Sequence, residues 1–187
     1  MVRMIALFDL DGSLADYESA LARDLRKLQS PEETPMTGNL HDLERQEHIH
    51  ARMQLIKSMP GWWLSLPRIE AGFDVVSAAA DLGYEMNVLT KGPGSHSIAW
   101  KEKLEWCKAQ PELHTANIHI VSNKGLVYGN VLYDDYPNYM AIWLEHRPRG
   151  LGIMPVTEYN KDFHHPNVIK YDGNISEIRE ALEKKLL

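Results

Sequence analysis

The chain has a single cysteine, Cys107, among its 187 residues. An intramolecular disulfide is therefore excluded, and so is a cysteine-rich zinc site. No run approaches the roughly 18 apolar residues that a membrane-spanning helix needs. The first residues, MVRMIALFDLDGS, hold only a short apolar run before Asp9. A secretory leader needs a longer one and a small-residue cleavage site, so a cytoplasmic location is the expectation. A basic surplus is also missing: 20 Lys and Arg stand against 26 Asp and Glu, a net charge of −6. That disfavours a binder of long nucleic acid, which carries a basic excess or stripe. One small nucleotide held in a local pocket stays open.

What is present reads as alternating strands and helices. Residues 4–8 (Met-Ile-Ala-Leu-Phe) are apolar on both faces, the pattern of a buried strand in a parallel sheet. Further strands are expected at 86–89, 117–121, 131–133, 152–156 and 168–171. Helices are expected from Asp16, over about 42–58, and over 69–82 with Gly83 as its stop. Others are expected over 98–109, 139–146 and 176–187. The result is a Rossmann-like α/β fold with a mostly parallel sheet. Residues 16–66 read as a small helical cap inserted after the first strand, leaving 1–15 and 67–187 as the core.

In open α/β sheets, ligands bind beyond the carboxyl ends of the strands. The first strand ends in Asp9-Leu10-Asp11, the second in Thr90-Lys91 and the fourth in Asp134-Asp135, while the loop after the third holds Lys124. Clustered carboxylates repel one another and together call for a cation. An all-oxygen donor set favours Mg²⁺, which often also binds substrate phosphate. A threonine hydroxyl and a lysine beside it would hold an anion's oxygens. One spare carboxylate could attack phosphorus, and another, two residues on, could pass a proton to the leaving alkoxide. The duller reading makes these residues turns and helix caps. Four motifs in order, each at a strand end or in the loop after it, argue for the phosphoryl-transfer reading.

FDLDGSL, VLTK, Lys124 and YDD resemble, in order and spacing, the four motifs of the haloacid dehalogenase superfamily of phosphohydrolases. Over nearly the whole chain, DLDGSLADYE, PGWWLSLP, SNKGLV and LYDDYPN are similar to the 5′(3′)-deoxyribonucleotidase group. The resemblance implies Asp9 as nucleophile and metal ligand. It implies Asp11 as general acid/base, with its backbone carbonyl on the metal. Thr90 and Lys124 would bind the phosphoryl group, Asp134 would ligate Mg²⁺, and Asp135 would support the metal. Trp62 and Trp63 match aromatics that enclose the nucleobase.

The chain departs from that group twice. Thr90-Lys91-Gly92-Pro93 stands where the group has Thr-Ser-Pro, and Asp134-Asp135-Tyr136-Pro137 where it has Asp-Asp-Arg-Pro. Lys91 reads equally as a phosphate contact or a surface charge, and Tyr136 as a substrate contact. The expected partner is a small phosphomonoester, a nucleoside monophosphate before a phosphosugar, with no membrane. A homodimer stays open. A phosphorylation-switched receiver module would use similar residues, but it places its acidic pair first and its lysine last.

Overall fold

The computed structural model describes residues 3–33, 35–94 and 97–187. Six strands form one sheet: β1 (Ile5–Phe8), β2 (Glu85–Lys91), β3 (Asn117–Val121), β4 (Val131–Tyr133), β5 (Leu151–Pro155) and β6 (Val168–Tyr171). Their order across the sheet is β3-β2-β1-β4-β5-β6, and every neighbouring pair is parallel. Among the described residues seven α-helices complete the fold: α1 (Tyr17–Lys27), α2 (Leu40–Leu43), α3 (Glu47–Ser58), α4 (Glu70–Asp81), α5 (Ser97–Ala109), α6 (Pro137–Glu145) and α7 (Ile175–Leu186). None is long and apolar enough to cross a membrane. The expected Rossmann-like architecture is present, and the sheet is wholly parallel.

Successive strand residues point to opposite faces, and the core divides accordingly. Ala6 and Phe8 join Val88, Tyr133 and residues of α1, α3, α4, α5 and α7. Leu7 faces the other way, against Leu132, Met154 and the α6 residues Met140, Trp143 and Leu144. β1 is central because both of its faces are apolar and it is paired on both edges.

Register decides what meets at the strand ends. Phe8 pairs with Val88 on one side and with Tyr133 on the other. The residues that follow, Asp9 and Asp134, are therefore neighbours at the carboxyl edge. The Asp9 amide closes this corner by donating to the Tyr133 carbonyl at 2.8 Å.

One expected element differs. The helix read over about 42–58 is two helices, α2 and α3, separated at Glu44–Gln46. Nothing in that stretch is a helix breaker. Leu43 is buried, and so are Ile49, Met53 and Ile56 of α3. At about 100° per residue, one continuous helix would turn Leu43 well away from Ile49. The break re-phases the two stripes so that both reach the core.

Replacing the fully buried Leu7 by Ala should cost about 2–5 kcal/mol of stability. Urea unfolding followed by tryptophan fluorescence measures this, and an unchanged midpoint would place Leu7 outside the working core.

Candidate active site

The carboxyl edge of the sheet carries a concentrated set of buried polar groups. Asp9, Thr90, Lys124, Asp134 and Asp135 are all buried. Carboxylate oxygens of Asp9, Asp134 and Asp135 lie within 4.8 Å of one another. Lys124 enters from the short helical turn after β3, and its Nζ sits 2.7 Å from Asp9 Oδ1 and 2.7 Å from Asp134 Oδ2. One lysine thus clasps two of the three carboxylates.

Asp135 is held by neutral donors. Ser13 Oγ donates to its Oδ1 at 2.7 Å, and the Tyr159 hydroxyl donates to Oδ2. Gly12 explains how the first loop comes so close. Its φ is +80°, and a Cβ there would meet Asp135 Oδ2 at 2.6 Å. Glycine is needed for both the backbone conformation and the approach.

This cluster is electrostatically under-neutralised. Burial raises the Asp9 carboxyl to about 6 although Lys124 opposes it. Burial raises Asp134 to about 7, again against Lys124. Asp135 rises to about 6 through burial and then the neighbouring Asp134. For Lys124, burial alone would lower the ammonium, but Asp134 and Asp9 outweigh it and its pKa is raised. Three oxygen-donor side chains converge where, among the described residues, Lys124 alone pairs with them. The donor set fits a hard divalent ion, which the protein would hold through Asp9, Asp134 and Asp135.

Asp11 is set apart from that cluster and meets a second lysine. Lys103 Nζ donates to Asp11 Oδ2, to Thr90 Oγ1 at 3.2 Å and to the Lys91 carbonyl at 2.8 Å. Asp11 Oδ1, by contrast, is buried with no hydrogen-bond partner. Lys103 holds Oδ2, the oxygen on the more open side of the carboxylate, while Oδ1 is turned inward. The sequence reading missed Lys103. Its signal was the buried stripe Ala99, Glu102, Lys103, Trp106 and Cys107 on α5, which puts two charged residues on a core-facing side. Glu102 is used as well. It accepts from the Gly61 amide at 2.7 Å and the Trp63 amide at 3.2 Å, fixing the Pro60-Gly61 turn.

A cavity of about 370 Å³ opens beside these groups. Asp9, Asp11, Lys103, Lys124 and Asp135 line its floor, and Tyr17, Trp63, Tyr136 and Tyr139 line its walls. Trp63 stacks on Tyr17 with centroids 5.6 Å apart and planes at 19°. The other expected tryptophan goes elsewhere. Trp62 lies outside this cavity, its indole N–H bound to Asp24 at 3.0 Å. Lys91 is exposed on the rim, 5.6 Å from the centre of the Tyr139 ring. Tyr136 packs against Tyr139 at 4.9 Å. Thr90 is fully buried behind this surface.

Residues 3–175 match the family model described as 5′ nucleotidase, deoxy (pyrimidine), cytosolic type C protein. The chain belongs to this 5′ nucleotidase family. It is a phosphoric monoester hydrolase. A Bordetella pertussis protein bearing the name "Putative 5′(3′)-deoxyribonucleotidase" is 26% identical over 170 residues, covering 85% of this chain and 87% of its own. A Bordetella bronchiseptica protein of the same name is 26% identical over 165 residues, with the same coverage of 85% and 87%. The fold is that of haloacid dehalogenase hydrolases. YfnB from Bacillus subtilis, a structure bound to magnesium, superposes with a TM-score of 0.58 at 13% identity, over 97% of this chain and 99% of its own. A hydrolase from Deinococcus radiodurans with bound phosphate and sodium gives 0.56 at 15% identity, over 98% and 96%.

In this nucleotidase-family site, Lys103→Met should lower kcat about tenfold or more through loss of Asp11 positioning, with a smaller change in KM. Lys103→Arg should recover part of the rate. Steady-state kinetics on a soluble phosphomonoester checks this, and a loss confined to KM would remove Lys103 from the positioning role.

Proposed function

We propose that the chain hydrolyses nucleoside monophosphates, deoxyribonucleotides first among them, through a phospho-aspartate on Asp9 and with Mg²⁺ as cofactor. The observation that carries this reading is one cavity with the carboxylate and lysine set at its floor and the half-buried rings of Tyr17, Tyr136 and Tyr139 on its walls, Trp63 backing Tyr17. An aromatic face suits a nucleobase, and stacking on one is worth roughly 1–3 kcal/mol. The names of the Bordetella relatives point the same way. Residues 16–66 serve as a cap over the reacting centre, and the enzyme works in the cytoplasm.

The chemistry follows from the positions. An Asp9 carboxylate oxygen forms the new P–O bond as the bond from phosphorus to the sugar oxygen breaks. Asp11, held at the cavity floor by Lys103, gives its proton to that leaving oxygen. Asp11 then takes a proton from water, whose oxygen attacks phosphorus. The bond from phosphorus to Asp9 breaks, and inorganic phosphate departs. Lys124 faces the negative charge that builds on the phosphoryl oxygens. Asp9, Asp134 and Asp135, with the Asp11 backbone carbonyl, would hold Mg²⁺, which supplies further charge neutralisation when bound. The cavity walls keep bulk water away during transfer.

Mg²⁺-dependent phosphate release, screened across nucleoside monophosphates and phosphosugars, tests the reading. Turnover of phosphosugars alone would replace the nucleotide assignment. Asp9→Asn should reduce hydrolysis by at least about a thousandfold, as expected for loss of a nucleophile, while circular dichroism stays unchanged. Near-native turnover would remove Asp9 from its role.

The raised carboxyls predict a pH effect of defined sign. Their folded pKa values of about 6 to 7 exceed the ordinary carboxylate value. Their protonation therefore favours the folded state, and metal-free protein should lose stability as pH rises from about 5 to 8. Added Mg²⁺ should raise Tm more at pH 8 than at pH 5.5. Thermal unfolding with and without chelator measures this, and an equal gain at both pH values would contradict it.

A further inference from the structure

A pair of charged residues faces the catalytic floor from the helical segment opposite: Lys57 in the last turn of α3, and Glu44 in the break before that helix. Both line the same cavity as Asp9 and Asp11. We propose that Lys57 and Glu44 read the leaving group, and that they take one bearing a hydrogen-bond acceptor beside a donor, as the polar edge of a nucleobase does. This inference rests on the nucleotidase reading and deepens it.

The geometry differs from that of a closed structural ion pair. Lys57 Nζ stands 3.7 Å from Glu44 Oε1, beyond ordinary hydrogen-bond length. The lysine pairs that serve the fold or the catalytic floor are shorter: 2.8 Å for Lys27 with Asp24, and 2.7 Å twice for Lys124. Yet the Lys57 side chain is only 12% exposed. Its ammonium has three donors, is largely removed from water, and meets its carboxylate only at long range. Burial lowers its pKa, with Glu44 and Asp11 opposing. A buried ammonium so weakly paired gains from a further acceptor. Glu44 has spare capacity as well, since its contact with the His50 ring, Nδ1 to the same Oε1, is also long at 3.6 Å.

Placement supplies the rest. The Trp63 indole N–H donates to the Lys57 carbonyl at 2.9 Å, and Trp63 stacks on Tyr17, so the end of α3 is tied to the aromatic wall. Lys57 also lies within electrostatic range of Asp11 and Lys103, on the side of the cavity that faces the reacting groups. A ligand with its phosphate at Asp9 and a flat ring against Tyr17, which lies near both Asp11 and Glu44, would bring its ring edge toward the Lys57 ammonium and the Glu44 carboxylate. The ammonium donates to a carbonyl or ring nitrogen, and the carboxylate accepts from an N–H. A phosphosugar offers hydroxyls but no flat face to orient them.

The test compares nucleoside monophosphates with p-nitrophenyl phosphate, which has neither an acceptor–donor edge nor a sugar. For Lys57→Met and Glu44→Gln, kcat/KM on nucleotides should fall at least tenfold further than on p-nitrophenyl phosphate. A phosphate-free nucleoside should lose potency as a competitive inhibitor of p-nitrophenyl phosphate hydrolysis by a similar factor, and Lys57→Arg should retain part of it. Equal losses on both substrates, with a lowered Tm, would overturn the proposal and make the pair structural. Unchanged selectivity in folded variants would overturn it too. The nucleotidase reading fails separately: wild-type protein would then hydrolyse p-nitrophenyl phosphate and turn over no nucleotide.

Discussion

The interaction on which the site depends is the clasp of Lys124 on Asp9 and Asp134, 2.7 Å to each. Three carboxylates buried within 4.8 Å would each carry a desolvation cost of several kcal/mol as lone ions. The fold offsets that cost in different ways. Lys124 neutralises two of them, and Ser13 and Tyr159 solvate the third with hydroxyls. The compensation is incomplete, which is why burial still raises all three. A site built only for stability would pack apolar groups here. The residual negative charge is instead suited to a divalent ion arriving with a phosphate.

Sheet topology makes the clasp possible. β1 lies in the middle, so its end has neighbours on both sides. The pairing of Phe8 with Tyr133 brings Asp9 beside Asp134, while β2 carries Thr90 and Lys91 past the end of β1. A slip of one residue between β1 and β4 would exchange buried and opposite faces and part the two carboxylates. The apolar alternation of Ala6, Leu7 and Phe8 between the two faces of the core prevents that slip. Packing in the core thus fixes the geometry of the charges at its edge.

Much of this was legible because parallel strands announce themselves as short apolar runs and their ends carry the chemistry. Asp9, Asp134 and Lys124 could be placed from strand ends and the following loop. Lys103 could not be found that way. It sits mid-helix, where a lysine is ordinarily solvated, and only the buried spacing of Ala99, Glu102, Lys103, Trp106 and Cys107 betrays it. The split between α2 and α3 was hidden for a related reason: no glycine or proline marks it, and tertiary burial of Leu43 together with Ile49 imposes it. Trp62 and Trp63 are adjacent and chemically identical. What separates them is Asp24 under one indole and Lys57's carbonyl under the other, and the deciding carboxylate is remote in sequence.

The two departures from the related group's motifs acquire a physical meaning in this geometry. Tyr136 stands where the motif resemblance leads to the expectation of an arginine, and its ring packs against Tyr139 at 4.9 Å. Tyr139 in turn lies under two ammonium groups, Lys124 at 4.6 Å and Lys91 at 5.6 Å from its ring centre. The second wall of the cavity is therefore an aromatic pair with lysines over its face, an arrangement in which ring and cation attract. A positive charge is present instead at position 91, at the end of β2, on the far side of β1 from β4.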